Sequence, residues 1–165
     1  MGTMDRRTFV AALGGLFVAH RAAASTDPRD PNFKIVKLEL SEAEWRKRLS
    51  DEAFHVLRKE GTERPGSSPL NREKRKGLYV CAGCDLPLFD SETKYESGTG
   101  WPSFWAPIPG RLGTKTDFKL IYPRTEYHCI RCGGHQGHVF DDGPKPTGKR
   151  YCNNGVALKF VPAAT

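Results

Sequence analysis

The chain has 165 residues, of which 38% are hydrophobic and 10% aromatic. That is enough for one domain with a real core and too little for a multidomain assembly. The formal charge of +7, from 26 Lys and Arg against 19 Asp and Glu, is spread along the chain, and its densest run, Arg72 to Lys76, is broken by Glu73. Such scattering reads as a solvated basic surface and not as the concentrated footprint of a nucleic-acid binder, so no nucleic-acid partner is expected.

Arg6 and Arg7 precede a short apolar run, Val10 to Ala19, and then Ala22-Ala23-Ala24. The run is shorter than the about 20 apolar residues of a spanning helix. Charged, apolar and small-residue regions in that order make a secretory signal. Asp5-Arg6-Arg7-Thr8-Phe9-Val10 is similar to a twin-arginine export signal, and Arg21 suits that route. A general secretory signal and an uncleaved anchor are the other readings. The expectation is a signal over residues 1–24 that is cut after Ala24. Export to the periplasm follows, with no stable membrane insertion afterwards. A linker over 25–33 then leads to a folded domain over 34–162 and a tail at 163–165.

Ser41-Glu42-Ala43-Glu44 has the capping-box pattern, which predicts a helix running to about Leu49. A second short helix is expected over Glu52 to Lys59, stopped by Gly61, before a loop from Thr62 to Pro69. From Gly77 the pattern changes to short runs separated by Gly, Pro, Asp and Asn. Leu78-Tyr79-Val80, Phe89, Leu120-Ile121-Tyr122, Tyr127-His128-Cys129, His138-Val139-Phe140 and Arg150 to Val161 read as strands. The predicted class is mainly β, with short helices at the N-terminal end.

Cys81-Ala82-Gly83-Cys84 and Cys129-Ile130-Arg131-Cys132 are two matched CxxC units, each after a strand-like run and each with glycine nearby. Two such knuckles can converge four thiolates on one tetrahedral Zn2+ of structural type. The gap between them exceeds the usual zinc-ribbon spacing, so a domain is expected around the clamp. Two disulfides, or a redox-active CxxC pair, are the competing readings.

The fifth cysteine is Cys152, in Arg150-Tyr151-Cys152-Asn153-Asn154. On a strand, Arg150, Cys152 and Asn154 would share one face, continued by Val156, Leu158 and Phe160. An adjacent guanidinium and a hydrogen-bond donor could lower the thiol's proton affinity and populate the nucleophilic thiolate. A buried, inert thiol is the bland alternative. His135 and His138, three apart and followed by Asp141-Asp142, offer proton donors with an orienting carboxylate. They could also be metal ligands or satisfied core histidines. Ser97-Gly98-Thr99-Gly100-Trp101-Pro102-Ser103-Phe104 turns sharply before an indole, which either faces a ligand or anchors the core.

As a set, Gly61-Thr62-Glu63-Arg64-Pro65, the two CxxC units, Gly100-Trp101-Pro102-Ser103-Phe104, Gly137-His138-Val139-Phe140 with Asp142-Gly143-Pro144, and Arg150-Tyr151-Cys152 with Asn154 resemble the B-type methionine sulfoxide reductases. The resemblance covers about Lys34 to Pro162. It implies two antiparallel sheets in a tent-like arrangement, with zinc clamped at one edge by Cys81, Cys84, Cys129 and Cys132. It also implies reduction of the R epimer of methionine sulfoxide in oxidised proteins, a form of protein repair. Cys152 would attack the sulfoxide sulfur and become a sulfenic acid. His138 would protonate the oxygen, and His135, Asp142, Arg150 and Asn154 would shape the hydrogen-bond network. Trp101 would face the S-methyl group.

Many members of that family carry a cysteine just before Gly-Trp-Pro-Ser-Phe that resolves the sulfenic acid. This chain has Thr99 there, and a hydroxyl cannot perform thiol exchange. Recycling by an external thiol is therefore expected, from a thioredoxin-like or glutaredoxin-like protein or a small thiol, with the enzyme a monomer. The rivals are a non-catalytic zinc-ribbon binding module, which leaves Cys152 and the His-Asp loop unexplained, and a thiol-disulfide oxidoreductase using one CxxC.

Overall fold

A computed structural model describes residues 29–30, 33–118 and 122–163. The signal expected over 1–24, most of the linker, Leu120 and Ile121, and the end of the tail lie outside them. No helix among the described residues is long and apolar enough to cross a membrane.

Helix α1, Glu42–Arg48, begins as the capping box requires. The Ser41 hydroxyl accepts the Glu44 N–H, and the Glu44 carboxylate accepts the Ser41 N–H at 2.8 Å. Helix α2, Asp51–Lys59, is capped by the Ser50 hydroxyl and ends at Glu60 in the left-handed region (φ 54°), one residue before the expected glycine. Ala53, Phe54, Val56 and Leu57 of α2 are buried together with Trp45 of α1. Thus these short helices are held by packing more than by propensity.

The strands are β1 Gly77–Cys81, β2 Pro87–Asp90, β3 Lys94–Tyr95, β4 Ser103–Phe104, β5 Leu112–Asp117, β6 Arg124–Cys129, β7 His135–Phe140, β8 Arg150–Asn153 and β9 Leu158–Pro162. They form two antiparallel sheets, β2-β1-β9 and β3-β4-β8-β7-β6-β5, as the mainly β expectation required. Aromatic rings from both sheets meet between them. Phe89 of β2 stacks on Phe104 of β4 at 4.2 Å, and Tyr79 of β1 meets Phe104 edge-on at 4.9 Å. Tyr127 of β6 and Tyr151 of β8 complete the cluster, with ring centroids 5.4 Å apart.

Three strand readings change. Residues 150 to 161 are not one strand: β8 stops at Asn153, a 3-10 turn spans Gly155–Ala157, and β9 pairs with β1 in the other sheet. The shared face therefore ends after Arg150 and Cys152, and Val156, Leu158 and Phe160 do not continue it. Tyr122 lies in a bend. Finally, β5 forms where no strand was expected, as do the two-residue strands β3 and β4, and β5 is the longest of the three. It is an edge strand paired only with β6, and its Gly113-Thr114-Lys115-Thr116 stretch carries no apolar alternation to betray it.

Candidate active site

Alternation on β8 turns Tyr151 and Asn153 into the core between the sheets and Arg150 and Cys152 to the opposite face. On the neighbouring strands, Ser103 of β4 and His138 of β7 are the direct partners of Cys152. Gly137 is needed beside them because a Cβ there would meet the Cys152 carbonyl oxygen at 1.9 Å. Cross-strand neighbours have Cβ atoms about 4.5–5.5 Å apart. Hence the register alone brings the thiol and an imidazole to the same spot.

That spot lines a cavity of about 300 Å3, shared by Thr99, Trp101, Arg124, His138, Phe140, Arg150, Cys152 and Asn154. Gly100, at φ +89°, allows the sharp entry to Trp101, and its carbonyl accepts the Gly66 N–H at 2.7 Å and the Asn71 Nδ2–H at 2.9 Å. The half-buried Trp101 indole donates through Nε1 to the Glu63 carbonyl at 3.2 Å. Its ring is thus held at the cavity wall.

Of the expected site residues, Cys152, His138, Arg150, Trp101 and Asn154 are brought together, whereas His135 and Asp142 do not line the cavity. His135 is 2% exposed and gives Nδ1 to Glu126 at 2.7 Å. Its ring lies 5.4 Å from that of His138. Asp142 instead grips Arg150 through two hydrogen bonds of 2.8 Å, while the guanidinium covers the Phe140 ring at 4.3 Å. The Asn154 side chain is committed to the scaffold: its Oδ1 accepts the Glu63 N–H, and its Nδ2 donates to the Gln136 carbonyl.

The carboxylates that orient the histidines are therefore not those of the acidic turn. Asp117 Oδ2, at the end of β5, lies 2.8 Å from His138 Nε2 and accepts Arg124 Nη2–H at 2.7 Å. Glu126 serves His135 and His128. Although burial pushes the Glu126 carboxyl up, hydrogen bonds and charge from His128 and His135 bring it down to about 2. Neither Asp117 nor Glu126 was legible in the sequence, since Asp117 is 21 residues from its histidine and Glu126 is recognised only through the pairing of β6 with β7. Arg124, which lines the cavity beside them, was also missed.

Electrostatics correct a second expectation. Burial pushes the Cys152 thiol above its ordinary value, and the Arg150 charge with a Thr99 hydrogen bond pulls it back only in part. Burial likewise holds His138 below its ordinary 6.5, against the raising effect of Asp117. At neutral pH the pair is thus a thiol facing a neutral imidazole whose Nε2 is held by a carboxylate. A thiol beside a histidine oriented by a carboxylate is a combination that can serve as nucleophile and base.

The other four cysteines converge elsewhere. Their Sγ atoms all lie within 4.8 Å of one another, buried, with Cys81–Cys132 at 3.7 Å and Cys84–Cys129 at 3.5 Å. These separations exceed a disulfide of about 2.05 Å and match the edge of about 3.8 Å expected for a tetrahedron with metal–sulfur bonds of about 2.3 Å. The donor set therefore fits a soft or borderline metal ion. Both knuckles turn alike, with Asp85 and Gly133 in the left-handed region. Arg48, Arg58, Arg131 and Lys37 donate to the knuckle carbonyls of Gly83, Cys132, Cys84 and Ile130, surrounding the cluster with positive charge.

A family model described as the SelR domain matches residues 49–162. "Peptide methionine sulfoxide reductase MsrB" of Methanosarcina barkeri is 56% identical over 124 residues, which cover 74% of this chain and 87% of that protein. "Peptide methionine sulfoxide reductase B1, chloroplastic" of Arabidopsis thaliana is 47% identical over 150 residues, 88% of this chain and 74% of that protein. The MsrB protein of Agrobacterium fabrum is 50% identical over 127 residues, 76% and 94% of the two chains. With a family model spanning most of the chain and relatives of this identity, the chain belongs to the SelR domain family, the B-type peptide methionine sulfoxide reductases.

Proposed function

We propose that this enzyme reduces methionine (R)-sulfoxide in oxidised proteins, with Cys152 as the nucleophile and an external thiol as the reductant. The observation that carries the reading is the pairing of Cys152 with His138 in one cavity with Trp101 while the other four cysteines are held in a separate cluster. His138 Nδ1 takes the Cys152 proton, and the thiolate attacks the sulfoxide sulfur. The imidazolium, steadied by Asp117 at Nε2, returns the proton to the sulfoxide oxygen. Oxygen moves from the substrate to Cys152, which yields methionine and a Cys152 sulfenic acid. One external thiol condenses with the sulfenic acid, releasing water. A second thiol then frees Cys152 and leaves as a disulfide.

Thr99 supports the external route. It lines the same cavity as Cys152 and stands where many members of the family carry the resolving cysteine, so no thiol is offered there. Arg150, held by Asp142, faces the thiol and favours its anionic form. His135 and Asn154 act through the framework behind them. For the four-cysteine cluster we propose one structural Zn2+, which takes no part in these steps. Export by the twin-arginine route, after which residues 25–165 act in the periplasm as a monomer, completes the proposal.

The test is turnover of the separated sulfoxide epimers with a panel of thiol donors, followed by a thiol count after one turnover without reductant. Consumption of the R epimer alone is expected, with Cys152 as a sulfenic acid and no intramolecular disulfide. Thr99→Cys should then form one with Cys152. Turnover of neither epimer, or a disulfide from Cys152 in the unaltered chain, overturns the reading.

The pH profile tests the proton path. The active form carries one proton between Cys152 and His138, so kcat/KM should be bell-shaped. Its acid limb belongs to His138 below 6.5 and its basic limb lies above the ordinary thiol value. Asp117 raises the proton affinity of His138. Asp117→Asn is therefore expected to move the acid limb to lower pH and to slow the reaction about 10- to 100-fold at pH 7. An unmoved acid limb would remove Asp117 from the path.

A further inference from the structure

The Gly61-Thr62-Glu63-Arg64-Pro65 segment has no role in the chemistry above, yet Glu63 is among the most heavily bonded residues near the cavity. It is 6% exposed. Its Oε1 accepts the Gly155 N–H at 2.6 Å and its Oε2 the Val156 N–H at 2.9 Å. Its own N–H donates to Asn154 Oδ1 at 3.0 Å, and its carbonyl accepts the Trp101 indole N–H at 3.2 Å. Burial, with the charge of Glu52, holds the proton affinity of this carboxyl above its ordinary value, and the two backbone N–H groups offset that only in part.

We infer that Glu63 is a positioning residue that locks the Trp101 indole to the end of the strand carrying Cys152. This rests on the reading of the cavity as the sulfoxide site. Trp101 and Cys152 stand on separate segments, and the distance between ring and sulfur decides which epimer presents its methyl to the indole and its sulfur to the thiol. Glu63 bonds to both sides. Its carbonyl holds the indole, while its N–H and carboxylate hold Asn154, Gly155 and Val156, the residues that turn the chain out of β8 directly after Cys152. A misplacement of about 1 Å in such a site costs about 100-fold in rate. A buried carboxylate satisfied by backbone donors is stiff enough to prevent one.

The test uses the full metal-loaded chain with Glu63→Gln, which keeps the size but sets an amide against an N–H, and with Glu63→Asp, which keeps both acceptors one methylene shorter. Amide resonances of Gly155 and Val156 and the Trp101 indole resonance should move in Glu63→Gln. The value of kcat/KM for the R epimer should fall about 10- to 100-fold, shared between KM and kcat. The preference for R over S should shrink, and Glu63→Asp should recover part of it. Moved resonances and a lower Tm with unchanged KM, kcat and epimer preference would make Glu63 a mere strut and overturn the inference. A second measurement needs no change at Glu63: an (R)-sulfoxide peptide titrated into Cys152→Ser should shift the Trp101 indole and the Gly155 and Val156 amides together. An indole shift without the two amides overturns the coupling. If the unaltered chain turns over neither epimer, it is the functional reading that fails, whatever the resonances do.

Discussion

Cys152→Ser is expected to lower sulfoxide reduction by at least about 10³-fold while leaving folding and metal content intact. A serine hydroxyl presents no appreciable anion near neutral pH, and an oxygen nucleophile cannot carry the transferred oxygen through a sulfenic acid and return by thiol exchange. The side chain is only half-buried, so exchanging sulfur for oxygen disturbs packing by less than about 1 kcal/mol. Circular dichroism, metal analysis and steady-state turnover on one preparation separate the two effects. The same variant excludes the binding-module reading, which has no use for Cys152 and predicts no loss. It also excludes a redox CxxC, since the four cluster cysteines are untouched. Retained turnover would show that another sulfur performs the attack.

Because the resting thiol is pushed up by burial, alkylation of Cys152 in the substrate-free enzyme should be slow at neutral pH. It should quicken towards alkaline pH. On the proposed path, reactivity belongs to the Cys152–His138 pair and not to a standing thiolate. On that path, proton transfer to His138 accompanies substrate entry, since excluding water from the cavity would strengthen the attraction between imidazolium and thiolate.

What the sequence revealed follows from how local each interaction is. The Ser41–Glu44 capping box and the two CxxC units are written within four residues, and both were legible. The break after Asn153 was not, because it is imposed from about 90 residues away. Glu63 takes the N–H groups of Gly155 and Val156 and anchors Asn154, so an apolar run that reads as one strand is divided between two sheets. The same distance hid the partners of the histidines. Asp141 and Asp142 stood close in sequence and were read as orienting groups, whereas the register of β5, β6 and β7 delivers Asp117 and Glu126 instead. Edge strand β5 escaped because a half-paired strand with exposed Thr114, Lys115 and Thr116 needs no hydrophobic period.

Stripping the metal, or breaking its site with Cys84→Ser, is expected to cost the enzyme its fold before its chemistry. The cluster joins the turn after β1 to the turn between β6 and β7, and so ties one sheet to the other at a single point. Gln136 extends the tie: its Nε2–H donates to Cys81 Sγ at 3.4 Å and its Oε1 accepts from Asn153, the residue after Cys152. Metal binding by four thiolates contributes an apparent free energy of about 10–16 kcal/mol in small sites. The whole stability of a domain is about 5–15 kcal/mol. Without the ion, four buried sulfurs must share protons at contact distance, and Arg48, Arg58, Arg131 and Lys37 surround a cluster that no longer carries the charge they balance. At about 2–4 °C of Tm per kcal/mol for a chain of this size, a loss of about 5 kcal/mol lowers Tm by about 10–20 °C. Chelator added under mild denaturant should release one metal ion per chain at the rate at which tryptophan fluorescence reports unfolding. Cys152 should become alkylated in the same phase. Release of the ion with no change in Tm, or four sulfurs recovered as two disulfides from freshly purified protein, would remove the metal from the account of stability.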